Sequence, residues 1–288
     1  MNPFASRATP LAPPLVDRWR VAAPWALFGC AFLAQTAFPF TDGGTPALTT
    51  ASVMFLAAAV VAHMASSRGA RAALTLVAVA GVGGLVAETV GVHTGFPFGS
   101  YEYNTTLGLQ VVGVPALVPL AWTMMAWPAL AAARRLVGPH RVVTTLVGAW
   151  ALTAWDVFLD PQMVDQGHWR WSDPHPALPG VEGIPLTNFA GWFLVSAIMV
   201  TLLDRLIPVA PTSPGDPGPS DSWSATADLL PLAVYLWTYV SSVIAHAVFF
   251  GRPPVALVGG VVMGLVAIPV AITVLRRSAL RGSARAQN

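Results

Sequence analysis

Eight apolar stretches of about twenty residues, at roughly 21–40, 47–66, 72–92, 111–133, 141–161, 186–207, 228–249 and 254–275, account for most of the chain. Each is long enough to cross the hydrocarbon core of a bilayer as a helix. In that medium a backbone polar group has no water to bond, so such segments fold as helices whose hydrogen bonds close within the segment. Composition agrees: 55% of the 288 residues are hydrophobic and only 10% are charged, against about 25% charged in a soluble domain. The chain therefore reads as an all-α, polytopic integral membrane helical bundle of about eight transmembrane helices, a single membrane domain over residues 1–288.

Arginine orients the bundle. All fifteen basic residues are arginine. With eight spans both termini share one side, and thirteen of the fifteen arginines fall there with them; only Arg170 and Arg252 fall on the other. The positive-inside rule then puts both termini in the cytoplasm of a multi-pass cell-membrane protein. Residues 1–20 read as a cytoplasmic N-terminal tail and 276–288 as a basic C-terminal tail. Residues 208–226, rich in Pro, Ser and Gly, read as a flexible cytoplasmic linker between the sixth and seventh spans. Arg7, Arg18 and Arg20 before the first apolar stretch resemble a signal peptide, but no small-x-small cleavage site follows, which predicts a retained first span. A net charge of +2 gives no nucleic-acid footprint. The single cysteine, Cys30, offers no intrachain disulfide. Gly260 and Gly264 form a GxxxG helix-packing motif in the last span.

Carboxylates stand out against this apolar background. The segment LVGAWALTAWDVFLDPQM (146–163) carries Asp156 and Asp160. A charged side chain at the bilayer centre costs roughly 2.5–3.5 kcal/mol on insertion scales, so intramembrane acids mark function by default. Four residues apart, the two lie on one helix face, about 6 Å apart along the axis. Glu88, Asn188 and His246 fall at the same predicted level, the outer ends of their spans, and Tyr101, Glu102, Tyr103, Trp169 and Trp171 fall in the outer loops. A carboxyl pair in a dry pocket can keep one proton at neutral pH and act as a general acid. Trp122, Trp127, Trp150, Trp155 and Trp192 surround the pair in sequence, and aromatic faces stabilise cations. Such a pocket suits protonation of an alkene. The plainer expectations are that the loop aromatics form an interfacial belt, that Asp160 beside Pro161 only marks a helix end, and that His63 and His246 are packed structural histidines. Pro115, Pro119 and Pro128 predict kinks in the fourth span.

Two blocks carry a resemblance. ETVGVHTGFPFGSYEYNTTLG (88–108) followed by GVPALVPLAWTMM (113–125), and LTAWDVFLDPQMVDQGHWRW (152–171) followed by GIPLTNFAGW (183–192), resemble the membrane carotenoid hydratases of the bacterioruberin and γ-carotene pathways. The resemblance covers roughly residues 85–195. It implies hydration of an acyclic carotenoid end group: a proton adds to the terminal double bond, a tertiary cation forms, and water captures it as a tertiary alcohol. The acids carried over are Glu88, Glu102, Asp156 and Asp160. Asp156 is the expected proton donor, with Glu88 positioning water or sharing the proton and Asp160 tuning the pair. Tyr101, Tyr103, Trp122, Trp155, Trp169 and Trp171 are the expected end-group pocket, and Asn188 the hydrogen-bond donor to water or to the new hydroxyl. No metal or redox cofactor is implied, in keeping with the lack of a Gly-rich nucleotide loop, a CxxC or a metal-spaced histidine cluster. The implied partners are the carotenoid, water, the lipid bilayer and other enzymes of the pathway. Val181 and Glu182 stand where the family pattern leads one to expect aromatics, which weakens the 161–185 loop as a pocket wall. Three alternatives remain open: a cyclase using the same cation, a prenyltransferase using the DxxxD of Asp156 and Asp160, and a non-enzymatic transporter or pigment-binding protein.

Overall fold

The computed structural model describes residues 15–41, 45–209 and 228–286. Nine α-helices occur among these residues: α1 (Leu15–Ala37), α2 (Pro46–Arg68), α3 (Ala70–Leu76), α4 (Gly83–Thr94), α5 (Leu117–Val137), α6 (Arg141–Asp165), α7 (Leu186–Leu206), α8 (Leu229–Ile244) and α9 (Pro253–Ala286). A π-helical turn at Val77–Val82 joins α3 to α4, and another at Ala245–Phe249 extends α8. The result is eight rods, the polytopic all-α bundle that the sequence predicts. Seven of them are long and apolar enough to cross a membrane.

The eighth rod, α5, explains the difference in count. It is 21 residues long, and it packs against α2, α4, α6, α7, α8 and α9. Trp122 through Arg134 are buried without a break. A helix enclosed by protein need not be uniformly apolar, so α5 accommodates Trp, Thr, Pro and Arg that would be costly against lipid. The outer helices show the complementary pattern. Leu33, Met54, Leu74, Val86, Leu257 and Val261 are all exposed, an apolar surface suited to lipid.

Several boundaries differ from the sequence expectation. The fourth span begins at Leu117 rather than near 111, because Val114 and Pro115 pair with Gln110 and Val111 as a short ribbon. Pro115 therefore precedes the helix, Pro119 lies in its first turn, and Pro128 alone sits inside it. The fifth span does not stop at Pro161: α6 runs on to Asp165. α1 begins at Leu15, inside the expected N-terminal tail, of which residues 1–14 lie outside the described residues. Residues 210–227 of the expected linker also lie outside them. α9 stays helical to Ala286, through most of the expected basic tail, whose Ala and Arg are strong helix formers. The GxxxG face of α9 meets α8, where the Tyr239 hydroxyl donates to the Gly260 carbonyl at 3.1 Å.

At the end of the bundle opposite the acids, Arg134 donates to Asp204 Oδ1 at 2.8 Å and to the Asp204 and Ile207 carbonyls at 3.0 and 2.9 Å. Arg68 reaches both Asp228 Oδ1, at 2.5 Å, and the Pro208 carbonyl, at 3.3 Å. Trp127 has the Arg68 guanidinium 4.4 Å from its ring centroid and that of Arg134 at 5.8 Å. Trp127 thus belongs to this basic cluster and not to the acid site. Arg134→Met should lower the unfolding free energy of the detergent-solubilised protein by about 3 kcal/mol, because Asp204 keeps a poorly solvated charge without its partner; chemical denaturation followed by tryptophan fluorescence measures this.

Candidate active site

The carboxyl cluster is assembled from α4, α6 and α7. Glu88 sits on the face of α4 that meets α5. One turn before it, Gly84 leaves room for the Trp122 ring: a Cβ there would lie 2.7 Å from that indole. The ring rests on the Gly84 backbone, and its Nε1 donates to Glu88 Oε1 at 3.0 Å. Three residues after Glu88, Gly91 does the same for Tyr101, whose hydroxyl would be 2.7 Å from an added Cβ. Tyr101 donates to Glu88 Oε2 at 2.5 Å and Tyr103 donates to the same oxygen at 2.8 Å. A carboxylate is acceptor-only, and Glu88, 4% exposed, receives three donors. Burial first, and then the Glu88 charge, push both tyrosine hydroxyls well above their ordinary range, so they remain protonated donors.

The second centre is the pair on α6. Asp156 and Asp160 are both buried. Asn188, in the first turn of α7, donates from Nδ2 to Asp156 Oδ2 at 2.8 Å and to Asp160 Oδ2 at 2.5 Å. One amide nitrogen therefore bridges both carboxyls. Trp169 Nε1 donates to Asp160 Oδ1 at 3.1 Å. Asp156 Oδ1 has no hydrogen-bond partner. Asp160 is fully inside the helix and buried, so it is not a helix-end residue at a water boundary.

A two-stranded ribbon covers both centres. β1 (Tyr101–Tyr103) pairs antiparallel with the strand Trp169–Trp171, aligning Tyr101 with Trp171, Glu102 with Arg170 and Tyr103 with Trp169. Side chains alternate across a strand, so the four aromatics face the acids and the two charges face outward. Tyr101 stacks on Trp171 with centroids 5.7 Å apart, and Tyr103 meets Trp169 edge-on at 5.5 Å. Glu102 and Arg170 pair at 2.6 Å on the outside, with side chains 62% and 79% exposed. Glu102 is therefore not part of the site. The ribbon contributes hydrogen-bond donors to both centres, which an interfacial aromatic belt would not do.

Below the ribbon lies a cavity of about 80 Å³. Glu88, Asp160 and Asn188 reach its wall, with Tyr101, Tyr103, Trp122, Trp155, Trp169, Trp171 and Trp192 around them. Trp122 and Trp192 stack with centroids 4.0 Å apart, and Trp155 meets Trp192 edge-on at 6.1 Å. All ten residues expected from the sequence thus come together. Asp156 is the exception in depth: it meets Asp160 and Asn188 but does not line the cavity. Trp150 lies elsewhere, half out of the bundle, donating to the Val262 carbonyl. His246 packs between Phe158 and Phe250 with Nε2 on the Phe158 carbonyl at 3.0 Å, apart from the acids. Val181 is buried, and Glu182 accepts from the Gly180 backbone N–H; neither lines the cavity. Gly84, Gly91, Phe98 and the α2 residues Thr49 and Val53 were not foreseen. The glycines could have been found from their spacing about Glu88. Thr49 and Val53 carry no such signal.

The fold and this cluster define a multi-pass membrane protein with a buried carboxyl site between its helices, closed by an aromatic ribbon. The chain belongs to the carotenoid biosynthesis protein family, which it matches over residues 49–266. It is 33% identical over 122 residues to bisanhydrobacterioruberin hydratase of Haloarcula japonica, a match covering 41% of this chain and 40% of that relative. No solved structure matches the chain. Removing one donor from Glu88 should be felt in stability. Tyr103→Phe is expected to lower it by about 1.5–3 kcal/mol, the range for a hydrogen bond to a charged group, whereas Glu102→Gln on the outer face should leave thermal unfolding in detergent unchanged.

Proposed function

We propose that this protein hydrates the terminal double bond of an acyclic carotenoid end group. The observation that carries the proposal is a cavity walled by indole and phenol rings onto which two carboxyls, Glu88 and Asp160, face, with Asp156 behind Asp160. In this reading a carboxyl donates its proton to the CH carbon of the trisubstituted alkene, leaving a tertiary cation on the neighbouring carbon. The ring faces of Trp122, Trp155 and Trp192 and the charge of Glu88 stabilise that cation. Water adds through its oxygen, and its surplus proton returns to the carboxylate. The product is a tertiary alcohol, and no electrons are transferred.

The geometry favours a change in the expected roles. Asp160 is the member of the α6 pair that reaches the cavity, so we assign it the proton transfer to carbon. Asp156, behind it on Asn188, shares and replenishes that proton. Glu88 already accepts three hydrogen bonds, which suits a fixed countercharge better than a proton donor. Hydration in place of cyclisation then depends on water reaching the cation before a neighbouring double bond does. The DxxxD alternative fits less well, because the amide donor between the two carboxyls has the wrong polarity for a metal ion held there. The Haloarcula japonica relative is a hydratase by name, which supports the same chemistry. We further propose that both termini are cytoplasmic, on the strength of the arginine distribution, which puts the acid site at the outer face of the cell membrane.

Expression in a lycopene-accumulating bacterial host tests the proposal. The expected product, seen by liquid chromatography with mass detection, is heavier by one water. Asp160→Asn should abolish it, and Asp156→Asn should reduce it by about 10²-fold or more, the contribution of general acid catalysis. A product of unchanged mass and altered absorption would instead mean cyclisation.

A further inference from the structure

A second, larger cavity adjoins the aromatic pocket. It has a volume of about 310 Å³ and lies between the C-terminal end of α1, the N-terminal half of α2, the end of α6 and α8. The two cavities share Thr49, Val53, Met124, Trp155, Leu159 and Met163 as a common wall, so they adjoin on the Asp160 side. Their linings differ. The small pocket is aromatic, and its polar groups apart from Thr49 are the acids, Asn188 and the ribbon donors. The larger chamber carries Gln35, Ser52, Gln162, Thr238, Ser241 and Ser242, none of them charged.

Part of this hydrogen-bonding capacity is taken up within the chain, since Trp237 Nε1 donates to Gln35 Oε1 at 2.6 Å and the Thr238 hydroxyl donates to the Met125 sulfur at 3.8 Å, and part is left over. Ser52 is 8% exposed, and its Oγ has no hydrogen-bond partner among the described residues. The Ser241 hydroxyl donates to the Thr238 carbonyl at 3.3 Å, which leaves its oxygen lone pairs available. A buried hydroxyl without a protein partner is normally satisfied by water, and a water needs two to four polar partners in a space large enough to hold it. The chamber meets both conditions several times over. Two edge-to-face pairs, Phe38 with Phe250 at 5.9 Å and Phe40 with Phe249 at 5.4 Å, tie the α1–α2 turn to the end of α8 beside it.

We propose that this chamber is the water-binding compartment of the site: it holds water on neutral hydroxyls and amides and delivers it past Thr49 and Trp155 to the cation. The inference rests on the hydration reading above and deepens it by separating two compartments, one for the isoprenoid end and one for the nucleophile. Keeping water on uncharged groups beside the aromatic pocket leaves the alkene dry during protonation and brings oxygen to it afterwards. The delivered water forms the C–O bond and loses one proton to the carboxylate.

The test uses the full chain in membranes, with lycopene as the probe and D₂O as solvent. Protonation of the alkene carbon puts a solvent deuteron on it. Collapse of the cation back to alkene then leaves deuterium in part of the recovered lycopene, so exchange reports protonation and the alcohol reports water capture. Ser52→Ala combined with Ser241→Ala keeps the space but removes its hydroxyls. The alcohol is expected to fall about tenfold relative to the unaltered protein, while deuterium in the recovered substrate persists or rises. Ser52→Val, which adds bulk, should shift the ratio the same way. The Ser52 hydroxyl has no partner among the described residues, so its loss should leave folding intact, checked by monodispersity in detergent. Exchange and hydration falling together would mean that the chamber holds the carotenoid, and would overturn the proposal; so would no change in either. Neither exchange nor hydration in the unaltered protein would overturn the hydration reading itself.

Discussion

The three hydrogen bonds to Glu88 organise this structure. A buried carboxylate without a cation must be satisfied by donors, and here the donors come from two separate parts of the chain. Trp122 arrives from the central helix, and Tyr101 and Tyr103 arrive from the loop after α4. One side chain thereby fixes the position of α5 against α4 and pins the ribbon over the bundle. The ribbon then carries Trp169 to Asp160, so the two acid centres share a single cover. Both sides of this arrangement depend on close approach at Gly84 and Gly91, where a side chain would displace the rings that reach the acid.

The acids of the site differ in the hydrogen bonds they accept. Glu88 faces three donors, whereas Asp156 and Asp160 share one amide, and one oxygen of Asp156 has no donor at all. The same functional group is therefore placed in different hydrogen-bonding environments, an arrangement that can set carboxyls apart in acidity. The stacked pair of Trp122 and Trp192 adds polarisable surface without adding charge. Trp122 serves both purposes, since its edge holds Glu88 and its face lines the cavity.

Much of this was legible in the sequence, for identifiable reasons. Transmembrane length and composition define the bundle because lipid permits so few backbone solutions. Asp156, Asp160, Glu88 and Asn188 stood out because polar groups are rare in such helices. Tyr101, Tyr103, Trp169 and Trp171 were recognisable as a set, but their alternation against Glu102 and Arg170 only acquires meaning once the two strands are seen to pair. Trp127 and Trp150 were grouped with the site by sequence proximity, yet each points away from it, one to the arginine cluster and one to α9. The second chamber was invisible for a different reason. Its polar side chains lie on four different helices, α1, α2, α6 and α8, and hydroxyl residues are common in membrane helices, where they usually bond back to their own backbone.

The pairing of β1 with Trp169–Trp171 also bears on how the protein is made. The two strands flank α5 and α6 in the chain, and Asn188 follows in α7. Synthesis proceeds from the N-terminus, so Glu88 and the aspartates are translated before the last of their donors, and the cover closes only after two further helices have been placed beside α4. Assembly of the reactive centre is thus a late event, and it reports that the middle of the bundle has been threaded in the correct order.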